Sequence, residues 1–181
     1  MATFSRSASL EWTGDVPHGT GMVGAASGSF TIPASFPMTS GDPGSVTTPE
    51  ELLAASHAVC YGIGLRSMIR RRGGTATRVV VRATVNAEKS AVGIRIRSAD
   101  LRAFVEGLEG ISTTDLQEIA QTTEDGCTIS NAIRSSVMIT HEVMEVEDAT
   151  EYLPTRTQPA LDRAADGNVP MLQPDNPSAE T

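Results

Sequence analysis

The first regular pattern along the chain is an alternation. Phe4, Arg6, Ala8, Leu10 and Trp12 share one parity, and Ser5, Ser7, Ser9 and Glu11 share the other. A period of two predicts a strand with one apolar face. Residues 14–21 are dense in turn formers, so a second, antiparallel strand is expected from Met22 and a third around Phe30 to Ile32. Residues 33–48 are rich in Pro, Gly, Ser and Thr and read as a long loop. Thr48-Pro49-Glu50-Glu51 then signals a helix start, with Thr48 as cap, proline in the first turn, and Glu51 placed to complete a capping box. The helix is expected to reach Arg70, Arg71 and Arg72, whose charges suit the carbonyl end of the helix dipole, and to stop at Gly73-Gly74.

Thr77, Val79, Val81, Ala83 and Val85 alternate with polar neighbours and predict a half-buried strand; Val92, Ile94 and Ile96 predict another. The apolar parity then passes to Leu101, Ala103 and Val105. A one-residue slip exchanges the faces of a strand, so a bulge or turn is expected near residues 98–100, and the second half reads equally as a separate strand. A second helix is expected over 115–123, with Thr114 as cap, Gln117 as its partner, and Leu116, Ile119, Ala120 and Thr123 on one face. A short helix over 128–134 and a final strand over 137–146 complete an α+β domain spanning 1–148. Beyond it, Pro154, Pro159, Pro170, Pro174 and Pro177 interrupt a polar, acidic segment, so 149–181 is expected to be an extended or mobile tail.

With 181 residues and 39% hydrophobic content, one domain with a real core is expected. A net charge of -8 argues against a nucleic-acid partner, because an acidic surface repels a phosphate backbone. The longest apolar run, residues 52–65, falls short of the ~18 residues that span a bilayer and reads as a buried helix, with no membrane partner. No secretory signal is visible at the start, so a cytoplasmic location is expected. Two cysteines are too few for a disulfide scaffold; as a pair they serve redox chemistry or nothing. His18, His57 and His141 lie in different segments and neither cysteine has a ligand at short spacing, so neither a metal nor a cofactor is expected.

Residues 48–60, Thr-Pro-Glu-Glu-Leu-Leu-Ala-Ala-Ser-His-Ala-Val-Cys, resemble the segment of the OsmC/Ohr family of thiol peroxidases that leads to its reactive cysteine. Gly126-Cys127-Thr128-Ile129-Ser130 is similar to that family's second cysteine motif, usually Cys-Pro-x-Ser, with Thr128 in place of proline and Ser130 matching the serine. Trp12-x-Gly14 and Gly19-x-Gly21 resemble its opening hairpin. The resemblance covers roughly residues 8–146. It implies a curved antiparallel sheet wrapped on a long central helix, an intertwined homodimer, and a peroxidase acting on organic hydroperoxides. Cys60 would then be the peroxide-reactive thiol, Cys127 its disulfide partner, and Glu50 a catalytic carboxylate, with a dithiol, lipoyl-linked in kind, as reductant.

That chemistry requires a thiolate that attacks one peroxide oxygen and becomes a sulfenic acid, with which the second thiol condenses. Burial in an apolar helix raises a thiol pKa, so Cys60 needs a nearby donor or positive charge. In the family an arginine held by the residue matching Glu50 is credited with this, yet no Arg or Lys occurs between Met22 and Arg66. Arg6, on the parity of Leu10 and Trp12, is one substitute if it points inward. His57, three residues before Cys60 on the same helical face, is another, against the plainer reading of a packed core histidine. Cys127 begins a helix, whose N–H groups favour a thiolate. The missing arginine also fits a non-catalytic module of the same fold that binds a small apolar ligand.

Overall fold

The structure, a computed structural model, describes residues 2–16, 18–35 and 46–154. Its longest helix, α1 (Pro49–Arg71), begins as the sequence predicts, with the Thr48 side chain accepting the Glu51 N–H at 3.3 Å. The reciprocal half of the expected box is replaced: Glu51 instead takes the Thr47 hydroxyl at 3.0 Å. At the far end Gly73 adopts a φ of +86°, which L side chains avoid, and the N–H groups of Gly73 and Gly74 close on the carbonyls of Arg70 and Ile69. The helix continues past Leu65 to Arg71, and an 18-residue window within it reaches a mean hydropathy of 1.3. By length and composition α1 is therefore long enough to cross a bilayer, which the shorter apolar run did not indicate.

Two three-stranded sheets complete the α+β architecture. In the first, β1 (Ala8–Thr13), β2 (Thr20–Ala25) and β3 (Thr31–Ala34) pair antiparallel in that order. A side chain at Gly19 or Gly21 would overlap the Trp12 indole, which explains the glycines of the opening hairpin. Pro33 sits in the edge strand β3, where its missing N–H costs no ladder bond. Arg6 does not point inward: it lies in the coil before β1, over the Phe4 ring and bonded to the Ser5 carbonyl at 2.8 Å. Among the described residues this sheet packs chiefly on itself, with the parallel Ala34–Thr47 bridge joining it to the start of α1.

The second sheet holds β4 (Arg78–Ser90), β5 (Gly93–Glu106) and β6 (Met138–Val146). The parity switch is a bulge within one continuous strand: Asn86 faces Ser98 while Ala87 faces Ile96, which leaves Arg97 as the extra residue. β6 runs parallel to β5, so this sheet is not wholly antiparallel as expected. The reason is the crossover through α2 (Thr113–Gly126) and α3 (Thr128–Ile133), which returns the chain to the end where β5 began.

The core lies between this sheet and the helices. Leu101, Ala103 and Val105 of β5 meet Tyr61, Leu65 and Ile69 of α1 and Leu116, Ile119 and Ala120 of α2. The apolar face predicted for α2 is thus the buried one, but its cap is Ser112, not Thr114. Ser112 accepts the Asp115 N–H at 3.1 Å and Asp115 accepts the Ser112 N–H at 3.0 Å, a reciprocal closure Gln117 does not make. Gln117 instead donates to the Val143 carbonyl.

On the outer face of the sheet, Phe104 stacks on Tyr152 at 3.7 Å between ring centroids, with Val80 and Ala149 beside them. A short 3-10 turn, Ala149–Tyr152, delivers these groups. The domain therefore continues past the expected boundary at Asp148, because Ala149 and Tyr152 cover an apolar patch on β4 and β5. Residues 155–181, and 36–45 of the expected loop, lie outside the described residues.

Candidate active site

Cys60 stands three residues after His57 on α1, and Ser130 stands three residues after Cys127 across the start of α3. Residues three apart in a helix share a face. Here the two pairs face each other: the sulfurs of Cys60 and Cys127 interact, and His57 Nε2 lies 2.8 Å from Ser130 Oγ. Two helical glycines make room for this approach. A Cβ at Gly64 would meet the Thr123 methyl of α2 at 3.0 Å, and one at Gly62 would meet the Val81 side chain at 3.2 Å. The sulfurs open onto a cleft of about 480 Å3 between α1 and α2, walled by Val59, Ile63, Met68 and Thr123 and ending at Arg71.

Both thiols are free and they titrate in opposite directions. Burial works against ionisation of Cys60, but the Ile129 N–H, the Cys127 thiol, and the N–H and hydroxyl of Thr128 outweigh it and hold its pKa below the ordinary thiol value. For Cys127, burial and donation to Cys60 push the pKa up, against opposing pulls from the N–H and hydroxyl of Ser130 and the Ile129 N–H. The expectation that the start of α3 would favour a Cys127 thiolate is thus redirected: those donors act more on Cys60, because Cys127 is the more deeply buried and is itself a donor.

Behind the sulfurs lies a buried polar cluster. His57 and Ser130 are fully buried, and His57 Nδ1 has no hydrogen-bond partner among the described residues. Burial lowers the His57 pKa, with the Glu124 carboxylate opposing, so the ring is neutral. Glu124 is buried too; its Oε2 accepts from Arg134 Nη1 at 3.2 Å, and its Oε1 makes an ion contact with Arg134 Nη2 at 3.0 Å. Arg134 also donates to the Glu124 carbonyl and Asn131 to the Asp125 carbonyl, so side chains of α3 and of the residue that caps it satisfy late carbonyls of α2 and fix the corner where Cys127 sits. Burial, then Glu124 and Cys127, raise the pKa of Tyr61, which stays protonated and lies 3.5 Å from the Ala120 carbonyl.

Glu50 lies elsewhere, in the first turn of α1, ten residues and therefore about 15 Å of helix rise from Cys60. Among the described residues its carboxylate has no ion-pair partner, and the only charged group lining the cleft is Arg71. The donors Thr128 and Ile129, and the pair Glu124 and Arg134, were not anticipated. One signal for Thr128 was present, since a proline there would have neither N–H nor hydroxyl to offer.

The model of the family described as OsmC-like protein matches residues 41–142. The chain is 29% identical over 143 residues to the peroxiredoxin OsmC of Escherichia coli, an alignment that covers 78% of this chain and 98% of that protein. Among solved structures, the organic hydroperoxide resistance protein OsmC of Legionella pneumophila superposes with a TM-score of 0.63 at 22% identity, covering 79% of this chain and 98% of its own. The organic hydroperoxide resistance protein of Elizabethkingia anophelis gives 0.65 at 20% identity, covering 80% and 99%. A match over more than half the chain, joined to the same fold across nearly the whole of these relatives, places this protein in the OsmC-like family.

Proposed function

We propose that the protein is a thiol-dependent peroxidase for organic hydroperoxides. The Cys60 thiolate attacks the terminal peroxide oxygen and the O–O bond breaks. The organic fragment takes a proton and leaves as an alcohol, with sulfur oxidised to a sulfenic acid. The Cys127 thiol then attacks that sulfur; an S–S bond forms, the S–O bond breaks, and the hydroxyl leaves with the Cys127 proton as water. A dithiol reductant, lipoyl-linked by family implication, supplies the two electrons that restore both thiols. The observation that carries the reading is the contact between the two sulfurs at a cleft mouth, where the surrounding donors outweigh burial at Cys60 but not at Cys127. The apolar walls of the cleft favour an organic peroxide over hydrogen peroxide.

Glu50 enters through its place in the Pro49-to-Cys60 motif. Replacing it with Gln is expected to lower the peroxide rate, and an unchanged rate would confine it to complementing the helix dipole. The same reading includes a homodimer, since Val59 and Ile63 on the outer face of α1 are 60% and 69% exposed and flank a second apolar groove of about 350 Å3. Sedimentation is expected to give a dimer that Ile63→Glu disrupts; a wild-type monomer at micromolar concentration refutes this part.

The decisive experiment adds one equivalent of an alkyl hydroperoxide and titrates thiols. Both thiols are expected to disappear in wild type, neither to react in Cys60→Ser, and a trappable sulfenic acid to accumulate in Cys127→Ser. If both thiols stay titratable and Cys60→Ser behaves as wild type, the peroxidase reading is wrong. A co-purifying apolar molecule in the cleft would then favour a ligand-binding module.

A further inference from the structure

We propose that His57, acting through Ser130, is a positioning residue that fixes the direction of the hydrogens between the two thiols. The inference rests on the peroxidase reading for its purpose, but its geometry stands independently. His57 and Ser130 are both fully buried and 2.8 Å apart, so water does not substitute for either partner. Ser130 also interacts through its hydroxyl with the Cys127 sulfur, and Cys127 in turn with Cys60.

A serine hydroxyl carries one proton, so it donates to one neighbour and accepts from the other. When His57 carries its proton on Nε2, it donates to Ser130 Oγ, Ser130 donates to Cys127 Sγ, and the Cys127 proton is left to point at Cys60. Each link polarises the next, and the chain ends on the sulfur that must ionise. In the other tautomer every arrow reverses: Ser130 donates to His57, Cys127 turns toward Ser130, and Cys60 loses a donor. Nδ1, which has no hydrogen-bond partner among the described residues, selects the first arrangement. A buried Nδ1–H without a partner would carry the full desolvation penalty of an unmade donor, whereas a bare ring nitrogen is the smaller loss.

The charged group that acts on the His57 ring is Glu124 on α2, held by Arg134 beyond α3. Glu124 and Cys127 also act on Tyr61 of α1, whose ring lies 6.4 Å from that of His141 on β6. Glu124 is paired by Arg134 and so does not draw a second proton onto His57. The oxidation steps use the same chain without adding a proton to it. As Cys127 gives up its hydrogen to the departing hydroxyl, the Ser130 hydroxyl steadies the charge that grows on its sulfur.

The test separates the thiol from the peroxide. Iodoacetamide labelling of Cys60 in the full chain, followed by peptide mass spectrometry across pH, is compared for wild type, His57→Leu, His57→Gln and Ser130→Ala. Glutamine places an N–H close to the position of Nε2; leucine and alanine break the chain. Labelling at neutral pH is expected to fall about tenfold in His57→Leu and Ser130→Ala, with the midpoint moved to higher pH, and to return to within about twofold in His57→Gln. Nitrogen NMR of the wild-type histidines, which needs no variant to fold, is expected to show His57 as the neutral Nε2–H tautomer. An Nδ1–H tautomer or an imidazolium at neutral pH, or folded variants with unshifted labelling profiles, overturns the proposal. A wild-type chain inert to peroxide whose labelling still responds to His57 sinks the peroxidase reading and leaves this arrangement standing.

Discussion

The closeness of α1 to α2 is set by one methyl group, and this can be measured. Thr123 is 6% exposed, and its hydroxyl donates to the Ile119 carbonyl at 2.7 Å, which locks its rotamer and holds Cγ2 toward Gly64. A Cβ at Gly64 would meet that methyl at 3.0 Å, too close for comfort and unable to turn it away without breaking the hydroxyl bond. Two effects compete in Gly64→Ala. Helix propensity gains about 1 kcal/mol, while overpacking against an immobile neighbour costs about 2 kcal/mol; the net expectation is a loss of about 1 kcal/mol. Thr123→Ser removes the methyl, keeps the hydroxyl bond, and by itself costs about 1 kcal/mol. In that background Gly64→Ala should recover its propensity gain, so the double-mutant cycle should show a coupling of about 2 kcal/mol. Urea denaturation followed by helical circular dichroism at one fixed protein concentration measures all four proteins. If Gly64→Ala stabilises equally in both backgrounds, the methyl does not set the spacing that brings the two sulfurs together.

Further outcomes follow from other contacts. Tyr152→Ala is expected to lose about 2–3 kcal/mol, from burial of most of the ring against Phe104 and from the stack itself, while Tyr152→Phe stays within about 0.5 kcal/mol; a neutral alanine variant would return the domain boundary to Asp148. Thiol alkylation against pH should show Cys60 reacting with a midpoint lower than that of an ordinary thiol and Cys127 with a higher one. Thr128→Pro, which removes both the N–H and the hydroxyl, should raise the Cys60 midpoint more than Thr128→Val, which removes only the hydroxyl; equal profiles would deny Thr128 a role. Asp115 has its pKa depressed by the Ser112 hydroxyl and N–H, so its stabilising effect is complete above the ordinary carboxylate pKa and is lost as pH falls through the lowered one. Asp115→Asn should therefore flatten that acid limb of the stability curve.

Much of the architecture was legible because its signals are local. Thr48, Pro49 and the Gly73-Gly74 pair bound α1, and the parity switch between Ile96 and Leu101 located the bulge within two residues. The misses have a common cause: they turn on partners distant in sequence. Whether β6 pairs parallel or antiparallel depends on which end of β5 the crossover reaches, and the choice between Ser112 and Thr114 as cap depends on which of Asp115 and Gln117 has another partner. At the site, the motif reading singled out Cys60, Cys127 and His57, but the groups acting on Cys60 are donors on a six-residue helix far along the chain. A backbone N–H has no residue type to be read from, and only the folded corner at Cys127 aims it.

The chain has a single tryptophan, and Trp12 belongs to the sheet that stands apart from the helices. Its fluorescence during unfolding therefore watches the hairpins, while helical dichroism watches α1 and the strands packed on it. Unless something else binds the two parts together, the optical signals should change at different denaturant concentrations, and no single midpoint would describe the molecule. Coincident curves would mean that the hairpins melt together with the helix they scarcely touch within one chain, which would make a second copy of the protein the bond between them.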